Sequence, residues 1–352
     1  MQNRSNNPKT MIKEPLQTKD NLRPVGTIRQ VQRAKKEAVS AINKINSSII
    51  NYMNSLTSFG AGDDLSKDTL LMLLKYVGDT VKSVISNADF ISLFENAYRF
   101  GFTTALTSAE VQLSDVLNKS VVSENDLNLV LAKAYGDYTP IWNSVIDNLC
   151  DYLTTALRSE ITSGYRLINS SNKDISLKEY LINARYKKTK KNKNTVIQKI
   201  EVRIKDKTGK LGNVIFSTTS NEINSSARSG NVDAFPHIDK EVEWQKNNGN
   251  LDISTAIVWE SALMATTRPW HAALHGKIVD EKFIQEFYSE DGNRYNCYCL
   301  QKPIILQNGE IPPRAKTKYS VELNNYKNGF YKSKTRNPRN MGRDKRRVGS
   351  KR

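Results

Sequence analysis

Apolar positions recur at helical spacing from Thr27 to about Ile168. Leu70, Leu71, Leu74, Val77, Val81 and Val84 return every three or four residues, the stripe that an amphipathic helix buries. Phe90, Phe94, Ala97, Gly101, Ala105, Ala109, Leu113 and Val116 make a second stripe. Thr139 before Pro140 pairs a cap with a first-turn proline and predicts a helix start there. Ile141, Val145, Leu149, Leu153, Ala156, Leu157 and Ile161 form the stripe that follows. Residues 27–168 thus read as a bundle of four or five helices, within a helical domain expected over 27–184.

The pattern then changes. Residues 185–194 are lysine-rich and predict a basic linker. Ile200, Val202 and Ile204 alternate with polar residues, as on a half-buried strand. Lys207 to Lys210 then reads as a turn, and Val214 to Phe216 as the return strand of a hairpin. A Ser/Asn-rich loop is expected over 217–231 and a short helix over 236–247. Residues 254–263 predict a strand. Residues 269–276 open on Pro269 and close on Gly276, which frames a two-turn helix. Strands are expected within 296–306, before a turn at Asn308-Gly309. Residues 195–322 therefore read as a small α+β domain. Residues 1–26 and 323–352 lack periodicity and read as a flexible arm and a disordered tail.

Charge sharpens this division. The chain of 352 residues carries a formal +17, concentrated in three segments. Residues 311–352 hold fourteen Lys/Arg against two acids, residues 185–210 eleven against two and residues 1–37 nine against three, so the three segments together leave the body of the chain acidic. A basic globular DNA-binding domain would carry its charge on the folded face instead. The tail cations Lys327, Lys332, Lys334, Arg336, Arg339, Arg343, Lys345, Arg346, Arg347, Lys351 and Arg352 are the candidate nucleic-acid contacts. Tyr319, Tyr326, Phe330 and Tyr331 interleave with them, which suits stacking on bases. No apolar run reaches the length of a membrane span, and the N-terminus has no apolar leader core, so neither membrane nor secretion is expected.

Three cysteines, Cys150, Cys297 and Cys299, do not make a disulfide framework. Cys150 falls in a helical stripe and is expected in the core. His271, His275, Cys297 and Cys299 are all of ligand type, and zinc is the ion they would take. The two imidazoles, four apart, would share a helix face. Against a metal, two thiols at C-x-C spacing on a strand would point to opposite sides. The alternative is that His271 hydrogen-bonds inside the domain while the thiols pack as small apolar groups, and no cofactor is expected on that reading. His271-Ala-Ala-Leu-His275 lacks the glutamate of a metalloprotease helix, because Ala272 stands in its place. A thiol nucleophile paired with His271 would lack an orienting acid at Met264. A metal-dependent nuclease needs clustered carboxylates, and Glu260, Asp280, Glu281, Glu290 and Asp291 are scattered.

Residues 258–276 read V-W-E-S-A-L-M-A-T-T-R-P-W-H-A-A-L-H-G, followed downstream by N-C-Y-C at 296–299. Trp259, Ser261, Leu263, Thr267, Arg268, His271, Leu274 and Gly276, with Asn296, Cys297 and Cys299, resemble in order and spacing the signature of the phage Mu F-like minor head (head-morphogenesis) proteins. The match covers about 45 residues of the 352. Three family positions differ: an aspartate is replaced by Met264, and His and Pro before the cysteine element by Arg294 and Tyr295. The resemblance implies an N-terminal helical bundle, a small α+β Mu F-like domain and a disordered basic tail. It also implies a non-enzymatic virion component in the head interior or near the portal, assembled in the host cytoplasm. Its partners would be the portal, other head proteins and packaged double-stranded DNA. The alternatives are a nucleic-acid-processing enzyme and an ejected effector. Arg268 is expected to hold a carboxylate or a backbone carbonyl within the domain.

Overall fold

In the computed structural model the described residues are 25–58, 67–114, 124–169, 196–249, 251–263, 267–290, 292–295 and 297–332. The arm up to residue 24, the linker 185–194, Met264, Asn296 and the tail from residue 333 lie outside them. The fold is mainly helical with one small antiparallel sheet. The elements in chain order are α1 (Val25–Ser58), α2 (Lys67–Ser86), α3 (Phe90–Ser114), α4 (Glu124–Asn169), α5 (Val196–Asp233) and α6 (Phe235–Gly249). There follow β1 (Ile253–Glu260), α7 (Pro269–Ala272), β2 (Ile278–Val279), α8 (Glu281–Ser289), β3 (Leu300–Gln307) and α9 (Pro313–Lys332). Among the described residues no helix is long and apolar enough to cross a membrane.

Contacts group the chain into two compact units whose borders do not follow the linker at 185–194. Of the described residues, one takes those within Gln32–Ser92 and Asp137–Ser220, the other those within Leu93–Gly136 and from Asn221 to Lys332, with Val25–Val31. The first is all helical. Its core holds Ile45, Ile49, Met53, Leu73, Val77, Val81, Trp142, Leu153, Leu157 and Ile215. Tyr52 stacks on Tyr76 at 3.9 Å between ring centroids. Arg158 donates to the Leu74 carbonyl at 2.7 Å.

Four expectations are overturned. The hairpin over 200–216 and the loop over 217–231 are one helix, α5. Ile200, Ile204, Leu211, Ile215, Ile223 and Ala227 are buried along it at helical spacings, so Ile200 and Ile204 satisfy the helical period as well as the strand period. Two of its polar side chains, Thr219 and Asn231, bond back along the helix. Thr219 Oγ1 donates to the Ile215 carbonyl at 2.8 Å, and Asn231 Nδ2 to the Ala227 carbonyl at 2.9 Å. Second, Pro140 sits inside α4 and does not start it; Trp142 is buried while Ile141 is exposed. Third, the segment after Pro269 makes one helical turn, then turns, and Cys297 to Cys299 precede the strand. Fourth, residues 323–332 belong to α9 and not to a tail. Tyr319, Glu322 and Tyr326 stand on one side of that helix and anchor it, which a wholly solvated segment could not supply.

The second unit is built on a close helix crossing. A Cβ on Gly101 of α3 would lie 2.0 Å from the Ala227 carbonyl oxygen of α5, and one on Gly230 would lie 2.2 Å from the Tyr98 oxygen. Tyr98 also donates from its hydroxyl to Asp233 at 2.8 Å. On this platform the sheet has the order β2-β1-β3. β1 and β3 pair along eight residues, from Ile253 with Gln307 to Glu260 with Leu300. β3 is an edge strand, which suits Pro303, and Gln112 of α3 accepts from its Ile305 N–H at 2.9 Å. Asn308 and Gly309 both have positive φ, 51° and 74°, forming the turn that follows.

The two sheet faces have different partners. Val258, Ile304 and Leu306 pack against Ile311, Ala315 and Tyr319 of the α9 side. Glu260 and Lys302 form a buried ion pair on the same face. The opposite face presents Trp259 to Cys297, Cys299, Leu274, Val279, Phe287 and Tyr288.

Candidate functional site: a buried histidine and thiol centre

β1 delivers Trp259 to the site by strand alternation. The strand's hydrogen bonding continues onto the segment before β2: Trp259 N–H donates to the Lys277 carbonyl and Gly276 N–H to the Trp259 carbonyl, both at 2.8 Å. Gly276 has φ 78°, and a Cβ there would meet Tyr319 at 2.6 Å. Both the backbone and the packing thus require glycine. Trp259 is ringed edge-on by Phe287 at 4.7 Å and lies parallel to Tyr288 at 5.5 Å.

Two polar nodes flank this core. In the first, His271 Nδ1 lies 3.3 Å from Cys297 Sγ and 3.8 Å from Cys299 Sγ. Its other nitrogen, Nε2, faces Arg268 Nη1 at 3.2 Å. A guanidinium only donates, so Nε2 is the acceptor and the ring proton sits on Nδ1, toward the sulfurs. Arg268 also donates to the Asn293 carbonyl at 3.1 Å and the Tyr295 carbonyl at 2.9 Å. Asn293 is tied in turn to Trp270 Nε1 at 3.0 Å and to the Phe287 carbonyl at 2.9 Å. Ser261 Oγ donates to the His271 carbonyl.

In the second node, Ser261 N–H donates to His275 Nδ1 at 3.0 Å, and His275 Nε2 lies 3.0 Å from the Glu322 carboxylate of α9. The backbone donor places the proton on Nε2, where it points at the carboxylate. His275, expected beside His271 as a ligand, is therefore occupied elsewhere. The helix ends at Ala272, so the two imidazoles do not share a helical face. The set Ser261, His275 and Glu322 has the residue types of a hydrolase triad but not its connections: the serine hydroxyl serves the His271 carbonyl and the imidazole takes the serine backbone. Tyr326 hydroxyl donates to the Thr267 carbonyl at 2.6 Å, a third tie between α9 and the motif.

The thiols differ in character. Burial pushes the Cys297 thiol up, but hydrogen bonds from Cys299 and His271 and the Arg228 charge outweigh it and hold Cys297 well below the ordinary thiol value. Cys299 is pushed up, first by its bond with Cys297 and then by burial. Burial, and then the neighbouring Cys297, raise Tyr288, whose hydroxyl is 3.6 Å from Cys297 Sγ. Arg228 of α5 lies 4.3 Å over the Tyr288 ring and donates to the Cys297 carbonyl at 3.2 Å. The centre is closed: His271, Cys297 and Cys299 are 2%, 4% and 2% exposed.

His271, Cys297 and Cys299 together can hold a metal ion, since their ligand atoms lie within 4.8 Å of one another. The expected opposition of the two thiols does not arise, because residues 297–299 are irregular and not yet strand. Leu274 packs on the thiol cluster, and Leu263 takes a positive φ of 49° where the chain leaves β1. Lys327 is exposed on α9; the side chain of Lys332 and the tail residues Lys334 to Arg352 lie outside the described residues. Arg228, Tyr288, Asn293, Glu322 and Tyr326 also belong to the two nodes, and all lie outside the signature; for Glu322 and Tyr326 the helical spacing with Tyr319 is the signal that could have found them. No family model, curated protein or solved structure matches the chain.

Proposed function

We propose that this chain is a non-enzymatic minor head component of a tailed bacteriophage, acting in head morphogenesis near the portal and contacting packaged double-stranded DNA through its basic C-terminal end. The observation that carries the reading is how the signature residues spend their polar atoms. Ser261, Arg268, His271 and His275 bond one another, backbone carbonyls and Glu322, around a buried Trp259. Such a centre braces a fold. An acyl- or phosphoryl-transfer site needs open approach and a free donor set. A brace of this kind also tolerates Met264 where the resembling family carries an acid. Zinc is the ion that the His271, Cys297 and Cys299 donors favour.

α9 supports the nucleic-acid part. Its one acid, Glu322, turns inward to His275, while Arg314, Lys316 and Lys327 are exposed. The tail continues this charge. Basic residues of this kind neutralise phosphates without reading sequence. Binding to duplex DNA of unrelated sequences is expected to be equal. If about six phosphates are neutralised, log affinity falls against log salt with a slope near −5. Removing residues 333–352 is expected to flatten that slope. Salt-independent binding, or a slope unchanged by the deletion, would contradict DNA contact through the tail.

A further inference from the structure

We propose that His271, Cys297 and Cys299 bind one zinc ion, through Nδ1 of the imidazole and both sulfurs. This inference stands apart from the head-protein reading, and either can fail alone. Tetrahedral zinc with thiolate and imidazole ligands places nitrogen and sulfur roughly 3.6 Å apart, given the usual bond lengths. The observed Nδ1 to Sγ separations, 3.3 and 3.8 Å, straddle that value. For the nitrogen–sulfur pairs, closing on an ion needs shifts of only a few tenths of an ångström, and all three ligand atoms lie within 4.8 Å of one another.

Charge agrees with geometry. Two thiolates and a neutral imidazole balance a divalent cation, which suits a centre this buried. Hard cations such as Mg²⁺ and Ca²⁺ take oxygen ligands, and this set offers sulfur and nitrogen. The three ligands come from two segments, His271 from α7 and the thiols from the irregular stretch before β3. An ion would lock that stretch against Trp259, where ordinary backbone pairing is missing.

Arg268 must yield for this to happen. Ligation at Nδ1 moves the ring proton to Nε2, which then repels the guanidinium. Arg268 keeps the Asn293 and Tyr295 carbonyls when it gives up the ring, so the exchange leaves it hydrogen-bonded. The fourth position goes to water or to the Tyr288 hydroxyl, which already lies 3.6 Å from Cys297 Sγ.

The test uses the full chain, purified under reductant. One equivalent of zinc is expected by elemental analysis. After chelation, Co²⁺ should give the intense visible bands of a tetrahedral site and a thiolate charge-transfer band. Cys297→Ser and Cys299→Ser should each weaken Co²⁺ binding on the order of 100-fold or more. Cys150→Ser should leave it unchanged. Should the variants fail to fold, the wild type still decides: a mercurial must release zinc to a chromogenic chelator as the thiols react. A chain without zinc and without cobalt bands overturns the site, as do cobalt bands that survive loss of either thiol.

Discussion

Single residues here act mostly through what they exclude. Gly101 and Gly230 let α3 and α5 touch backbone to backbone, and neither leaves room for a methyl group. Gly101→Ala and Gly230→Ala should each cost about 3 kcal/mol or more in urea unfolding, because the clash is with backbone and not with a side chain that can move aside. Gly136 in α4 is the control, because a Cβ added there would meet nothing within 4 Å. Gly136→Ala should stabilise by up to about 1 kcal/mol through helix propensity alone. Equal effects at all three positions would contradict the close crossing. The same scale shows what one sequence conceals. The place of Gly101 in its stripe is legible, but its contact across to Ala227 is not, since the partner lies in a segment whose composition reads as a loop. Arg228 is hidden for the same reason.

At the level of elements, α9 departs furthest from its composition. That composition is of a solvated tail, yet Tyr319, Glu322 and Tyr326 each touch the signature, at Gly276, His275 and Thr267. The signal is present in the sequence: an isolated acid in a basic run, with tyrosines three before it and four after, is a helical stripe. Net charge masks it. Tyr326→Phe should cost about 1 kcal/mol for one lost hydrogen bond. Glu322→Leu should cost about 1–3 kcal/mol, because it strands the buried His275 N–H. Ending the chain after Lys332 should leave the unfolding midpoint nearly unchanged, as every described anchor lies at or before Tyr326. Ending it after Pro312 uncovers Val258, Ile304 and Leu306 and should cost on the order of 5 kcal/mol. Equal midpoints for the two truncations would show that α9 is not an anchor. α5 teaches the complementary lesson. A period of two over five residues cannot be told from a period near four, and only the longer run to Ala227 decides it.

For the whole molecule, the broad class is legible in the sequence and the partition is not. Helical periodicity over 27–168 and the strand into Trp259 both stand in the structure. The division into compact units depends on contacts between distant segments, and helices α4 and α5 each contribute to both units. The site is legible as residue types. Its pairing into two nodes, with His271 to the thiols and His275 to Glu322, depends on where the helix after Pro269 stops. A closed centre that braces a small sheet, followed by a basic segment, is what the proposed assembly role would use. Quantitative mass spectrometry of purified particles from the source of the chain, full and emptied of DNA, tests the proposed head role most directly. A few copies per full particle are expected. Complete absence of the chain from particles would contradict the account.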